Sequence, residues 1–180
     1  PELPARLAVV CHDAGATNVI FSWLRAMAAS APCNAAEWRV LAEGPAARLW
    51  SEHPVPLARS CRKLDETLNG VDALLSGTGW ASSLEHDARF AAQARGIETI
   101  AVIDHWVNYR ERFVRNGKTV LPDRIFVTDE HAELEAQRCF PGLPVFRYTN
   151  VYLAEIARSI QPLDDQVNDV LYELEPIRAD

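Results

Sequence analysis

The chain has 180 residues, a length that favours one domain with its own hydrophobic core. Hydrophobic residues make up 48% of the chain and charged residues 24%, as in an ordinary globular protein. The net charge of −7 argues against binding to nucleic acid, which requires a basic surface, and no segment approaches the roughly 20 apolar residues of a membrane span.

The cysteines and the N-terminus predict a cytoplasmic protein. The four cysteines are Cys11, Cys33, Cys61 and Cys139. They have no CxxC spacing, which indicates neither a zinc site nor a redox pair, and we expect them to be reduced structural thiols. The apolar run that follows the first six residues is too short for a signal peptide.

Short apolar segments alternate with helical patterns along the chain. Uninterrupted apolar runs are typical of strands that are buried on both faces of a parallel sheet. Strands are predicted at residues 7–11, 38–42, near 55–57, 71–75, 99–103, 124–127 and 144–146. Helices are predicted at residues 19–28, 45–53, 61–68, between Ser82 and Gly96, after Thr128, and at 151–159. The alternation predicts an α/β domain.

Two of the predicted helices have sequence signals at their starts. Residues 82–85 match a capping box, in which Ser82 caps the helix and Glu85 bonds back to it. Thr128 is predicted to cap the later helix, whose first turn contains Asp129 at the positive end of the helix dipole.

The order of elements predicts a doubly wound, Rossmann-like and mostly parallel sheet of six to seven strands in three layers. The expected strand order is 3-2-1-4-5-6, in which ligands bind beyond the carboxyl ends of strands 1 and 4. Residues 1–160 are predicted to form this domain. Residues 161–180 are predicted as a linker, followed by an edge strand, a disordered tail or the first strand of a second domain that this chain lacks.

Polar residues are concentrated in three loops that follow strands. The first loop, residues 12–18, contains Gly15 at a tight turn and Asn18, and it leads into a helix whose free N–H groups suit an anion. The alternative is an ordinary turn in which Asp13 or Thr17 caps that helix.

The second loop, residues 76–83, contains two glycines that would let the backbone approach a ligand closely. Trp80 suits stacking on a sugar or a base, or else fills a gap beside the sheet. The loop is not a Walker A motif, because the Gly-Lys-Ser/Thr ending is missing. The predicted ligand-binding residues are Gly77, Thr78, Gly79, Trp80, Ser82 and Ser83.

The third loop, residues 104–113, places a carboxylate next to an imidazole, a pair that suits general acid–base catalysis. Arginine side chains in the same loop suit an anionic group. The alternative is that Asp104 caps the next turn and the aromatic side chains cover the end of the sheet. The predicted ligand-binding residues are Trp106, Asn108, Tyr109, Arg110 and Arg112.

If the three loops meet, the predicted catalytic residues are His12, Asp13, Asp104 and His105, with either histidine as the base and a neighbouring aspartate orienting it. The same four side chains suit a metal-dependent hydrolase, but no HExxH or HxH spacing supports a metal site, so none is predicted. A serine hydrolase is disfavoured, because no GxSxG occurs. No cofactor is predicted.

With these loops in view, the chain resembles the N-terminal half of GT-B-type glycosyltransferases and of UDP-N-acetylglucosamine 2-epimerases. Residues 77–85 and 104–113 look like a little-characterised bacterial group associated with polysaccharide biosynthesis. The resemblance implies the acceptor side of a sugar-transfer site, a sugar nucleotide as substrate, and a donor-binding C-terminal domain. The alternative is a non-catalytic sugar- or nucleotide-binding module, or one that forms a homo-oligomer.

Overall fold

The computed structural model describes residues 2–30 and 37–160. Its main sheet has seven strands, all parallel, in the order β3-β2-β1-β4-β5-β8-β9. The strands are β1 (Arg6–Cys11), β2 (Glu37–Ala42), β3 (Ala58–Ser60), β4 (Ala73–Ser76), β5 (Glu98–Val102), β8 (Arg124–Val127) and β9 (Val145–Arg147). The predicted Rossmann-like, doubly wound sheet is confirmed. The tail at 161–180 lies outside the described residues.

Helices connect the strands of the sheet, except between β5 and β8. That connection contains a 3-10 turn, Glu111–Phe113, and a small antiparallel hairpin of β6 (Val114–Arg115) and β7 (Lys118–Thr119). The helices are α1 (Ala14–Ser30), α2 (Gly44–Glu52), α3 (Leu64–Leu68), α4 (Leu84–Gln93), α5 (Glu130–Cys139) and α6 (Val151–Ser159). None of the helices in the described ranges is long and apolar enough to cross a membrane.

The third strand begins at Ala58, later than the predicted 55–57. Pro54 and Pro56 have no N–H group to donate to a neighbouring strand. Leu57 adopts a φ of 67°, in the left-handed region that a strand does not use. The chain therefore turns here before it joins the edge of the sheet.

The sheet is covered on both faces, which explains the apolar runs. Val9 belongs to a buried cluster with Ile20 of α1, whereas its neighbour Val10 belongs to a second cluster with Ala88 of α4. Because alternate residues of a strand point to opposite faces, α1 and α4 lie on opposite sides of the sheet. A gap thus opens where β1 and β4 end side by side.

The cap of α5 is Asp129, and the prediction of Thr128 is wrong. Asp129 has extended backbone angles, and its Oδ1 accepts a hydrogen bond of 2.8 Å from the N–H of Ala132. A cap accepts from the N–H two or three residues onward, so a helix that begins at Glu130 places the cap at position 129.

The Asp129→Ala substitution should lower the free energy of unfolding by at least about 1 kcal/mol, because it removes the cap. It also removes the acceptor for the Trp106 indole N–H, which lies 3.0 Å from Asp129 Oδ2. The matched control Thr128→Ala should change stability by less than about 0.5 kcal/mol. Urea denaturation measures both values, and an equal or larger loss for Thr128→Ala would contradict the assigned cap.

Candidate functional site

The three loops begin level with one another at the carboxyl ends of β1, β4 and β5. Val10 pairs with Ser76, and Ser76 pairs with Ala101 of the next strand. This register follows from the shared parallel direction of the strands. The gap that the loops surround is called the crevice below.

Side chains join each loop to the other two. Asp104 of the third loop lies against Gly15 of the first, and Asp13 of the first lies against Gly79 of the second. Arg112 reaches from the third loop to the second, where its Nη1 is 3.4 Å from Thr78 Oγ1. The three loops therefore contact one another, whereas one concave crevice shared by His12, Trp80 and His105 stays a prediction.

Four glycines near the crevice each hold a titratable side chain in the space where a Cβ would be. The pairs are Gly15 with Asp104, Gly44 with His12, Gly77 with Glu85, and Gly79 with Asp13. At the other four glycines an added Cβ would meet nothing within 4 Å; these are Gly70, Gly96, Gly117 and Gly142. The space beside these glycines is filled by the protein's own polar side chains. A ligand in the crevice would therefore lie on the solvent side of those side chains and would not contact the glycine backbone through that space.

Glu85 joins the first loop to the second from beneath. Its side chain is 1% exposed, Oε1 accepts a 2.9 Å bond from the His12 N–H, and Oε2 accepts a 2.7 Å bond from the Gly79 N–H. The predicted capping box is therefore wrong: Ser82 Oγ accepts from the Leu84 N–H, but Glu85 turns toward the sheet.

The position of Glu85 follows from the face of α4 on which it lies. Residues 85, 88, 89 and 92 recur at the helical spacing, and the buried alanines at 88 and 92 pack against the sheet. Glu85 and Arg89 share that inward face. The helical spacing of Glu85 and Arg89 with the two alanines is present in the sequence, and it could have predicted that both charged residues are buried.

Burial raises the pKa of Glu85 to about 7, and the nearby charge of Asp13 adds to the rise. The N–H groups of His12 and Gly79 and the charge of Arg89 oppose it. At neutral pH this carboxyl group is near its midpoint, so the charge beneath the crevice changes with pH.

Arg89 is the buried cation next to this carboxylate. Its Nη1 donates to Ser76 Oγ at 3.0 Å and to the Gly77 carbonyl oxygen at 2.8 Å. Its guanidinium carbon lies 5.2 Å from the ring centroid of Phe113. Burial lowers the pKa of Arg89 to about 10, which still leaves it charged at neutral pH.

Asp13 caps α1, as the simpler interpretation of the first loop allowed. Its Oδ1 accepts a 3.1 Å bond from the Ala16 N–H, and the Thr17 hydroxyl donates to its carbonyl oxygen. Its Oδ2 is buried and has no hydrogen-bond partner among the described residues. The start of α1 therefore already holds a negative charge, which disfavours a bound anion there.

Asp104 is paired with Arg112, which is 5% exposed. Arg112 Nη1 lies 3.5 Å from Asp104 Oδ1, and its Nε donates to the Val107 carbonyl oxygen at 3.1 Å. Burial raises the pKa of Asp104, the charge of Asp13 raises it further, and Arg112 opposes the rise. Arg112 was predicted to bind an anionic ligand. In the structure its guanidinium is instead engaged by groups of the protein itself.

Two tryptophans at the crevice remain exposed. Trp80 is 53% exposed, and the guanidinium carbon of Arg112 lies 5.2 Å from its ring centroid. Trp106 is 58% exposed, and its indole N–H is bonded to Asp129. Both rings therefore offer aromatic surface to a ligand.

The two histidines do not meet. The His12 ring packs against Gly44 at the start of α2, on the β2 side of β1, whereas His105 follows β5 on the other side. His105 is exposed, and its Nδ1 accepts a 2.9 Å bond from the N–H of Trp106. Among the described residues, no hydrogen bond connects either ring to Asp13 or Asp104.

The other predicted site residues are used elsewhere. Four side chains bond within the protein: Thr78 to the Val102 carbonyl, Ser82 to the Leu84 N–H, Ser83 to Asp87, and Tyr109 to the Ala132 carbonyl. Asn108 is exposed with a φ of 59°. Asn18 lines a cleft of about 680 Å³ between α1, α2 and α6, and Arg110 lines a separate cavity.

Within residues 2–30 and 37–160, no group of three His, Cys, Asp or Glu side chains is placed to hold a metal ion. Comparison of the chain with protein-family models, with curated proteins and with solved structures gives no match. The geometry of the crevice therefore has to support any assignment of function.

The Gly15→Ala substitution should destabilise the protein by about 2 kcal/mol, because the new Cβ overlaps the Asp104 carboxylate. In an Asp104→Ala background the same substitution should cost less than about 0.5 kcal/mol, since the obstacle is gone and alanine favours the helix. A double-mutant cycle measured by urea denaturation checks this coupling. Additive effects of the two substitutions would contradict the contact.

Proposed function

We propose that the chain is the acceptor-side domain of a glycosyltransferase-like protein of bacterial polysaccharide biosynthesis, and that the crevice binds the acceptor sugar. The main support is the position of Arg112, which lies between the Asp104 carboxylate and the exposed ring of Trp80. A hydrogen-bond acceptor and an aromatic surface are thereby held at a fixed spacing beyond the carboxyl ends of the strands.

This pairing suits a sugar for a chemical reason. The C–H groups on one face of a sugar ring carry partial positive charge and are attracted to the negative face of an aromatic ring. Sugar hydroxyls donate hydrogen bonds, and ionised carboxylates accept them strongly. One face of Trp80 is engaged by Arg112, so the ligand would use the exposed part of that ring.

The charges near the crevice favour an acceptor over a sugar nucleotide at this position. Asp13, Glu85 and Asp104 lie beneath it, and the nearby cations Arg89 and Arg112 already engage protein groups. A diphosphate would be repelled by these negative charges, whereas a neutral sugar hydroxyl would find an acceptor in the partly exposed Asp104 carboxylate. The donor would then bind to another domain or to a second copy of the chain, as the resemblance implies.

Asp104 is better placed than either histidine to act as the base. Burial raises its pKa, which makes the Asp104 carboxylate a stronger proton acceptor than an exposed aspartate. The Nδ1 of His105 is engaged by the Trp106 N–H, so the neutral ring has its proton on Nε2 and has no free lone pair. His12 packs on the far side of β1.

A cytoplasmic location belongs to the same proposal. Its support is chemical: Cys11, Cys61 and Cys139 are free thiols in the part of the chain that the structure describes. Thiols of cytosolic proteins are kept reduced.

Ligand-observed NMR and calorimetry with a panel of neutral methyl glycosides test the binding step. At least one glycoside should bind, and Trp80→Ala should weaken its affinity by about tenfold or more, because the stacking surface is lost. Phe90→Ala is the matched control: Phe90 is 48% exposed on α4, at another place on the surface, and its loss should leave affinity unchanged. Failure of every glycoside to bind, or equal effects of the two variants, would overturn the proposal.

The same variants separate an enzyme from a binding module. The assay must include the domain or second copy that binds the donor. In an enzyme assayed in this way, Asp104→Asn should lower the rate of sugar transfer by about 100-fold or more and alter glycoside affinity far less. A module in the same assay would bind the glycoside through Trp80 and give no transfer from any sugar nucleotide. The module remains the second candidate, because neither histidine is joined to an aspartate as the predicted base pairs required.

A further inference from the structure

A second cavity lies away from the crevice, between the β6–β7 hairpin and the carboxyl end of α5. Its volume is about 400 Å³. Most of its lining is apolar, including Val114, Leu121, Phe140 and Leu143. Small-molecule sites are typically mostly apolar cavities of about 300–1,000 Å³ with a few polar groups, and this cavity matches that description.

The walls of the cavity are fixed by packing and hydrogen bonds. Phe140 contacts the buried Phe113 edge to face, with ring centroids 5.3 Å apart. The hairpin is anchored to α4 through a 3.1 Å bond between His86 Nε2 and the Lys118 carbonyl oxygen. It is anchored to the second loop by Arg115, which donates to the Gly79 carbonyl oxygen at 2.6 Å. These contacts hold the walls of the cavity in place.

The charge at the rim is positive. Of the described residues that line the cavity, Arg110 alone is charged. Arg110 is exposed, and it forms no ion pair within the described ranges. The whole chain has a net charge of −7, so anions are repelled from most of its surface. A guanidinium at the edge of an apolar cavity suits a planar anionic group such as a carboxylate or a sulfonate.

We propose that this cavity binds a small anionic amphiphile, with its apolar body among Val114, Leu121, Phe140 and Leu143 and its anionic group on Arg110. The site is separate from the crevice and does not depend on the function proposed above. Sequence reasoning placed Arg110 with the residues of the crevice, but its side chain lines this second cavity instead.

Anilinonaphthalene sulfonate, which combines an apolar ring system with a sulfonate, is a suitable probe for the whole chain. Fluorescence titration should show saturable binding that Arg110→Gln weakens by about tenfold, the effect of removing one charge-assisted hydrogen bond. Arg62→Gln is the matched control, because Arg62 is an exposed arginine near β3, at the opposite edge of the sheet. Thr119→Trp places a ring in the cavity from an exposed position and should abolish binding altogether.

Cys139 locates the bound probe. It is a half-buried free thiol in the cavity wall, whereas Cys11 and Cys61 are buried. In a Cys33→Ser background, the probe should slow maleimide labelling of Cys139. The proposal is overturned by the absence of saturable binding, by equal affinity in Arg110→Gln, by undiminished labelling of Cys139, or by equally tight binding of the neutral analogue phenylnaphthylamine.

Discussion

A buried carboxylate bonded to two loops holds the crevice together. Glu85 accepts from the N–H groups of His12 and Gly79, and it fits because Gly77 has no side chain in that space. Without Glu85, both N–H groups would lose their partner, at a cost of about 1–3 kcal/mol for each group left unsatisfied. The placement of Trp80 and Asp13, and with it the shape of the crevice, depends on this contact.

The same contact makes stability depend on pH. Because the pKa of Glu85 is about 7 in the folded protein and near 4.5 in an unfolded chain, the folded state binds the proton more tightly. The contribution of this group is therefore most favourable below pH 4.5, and it is lost progressively as the pH rises to about 7, by an amount on the order of 3 kcal/mol. Asp104 adds a slope of the same sign, since its pKa is also raised.

Most of the fold could be predicted from the sequence, whereas the contacts of the site could not. Apolar runs predicted the central strands of the main sheet, because burial on both faces leaves a local pattern. The edge strand β3, which is largely exposed, was predicted at 55–57 but begins at Ala58. The capping rule for Glu85 failed because it considers only neighbours along the chain, and the competing donors of Glu85 lie on other loops. The same limit applies to Arg112, which was predicted to bind a ligand. Its contact with Asp104 depends on how the loop folds back on itself, and the sequence does not show this.

Carbon-detected NMR titration of the side-chain carboxyl groups tests the role of Glu85 most directly, because it follows the ionisation of each carboxyl group separately. Glu85 should titrate near pH 7, and the chemical shifts of the His12 and Gly79 amide protons should follow the same midpoint. A midpoint for Glu85 near its ordinary value of 4.5, with amide shifts that do not change around pH 7, would contradict the account.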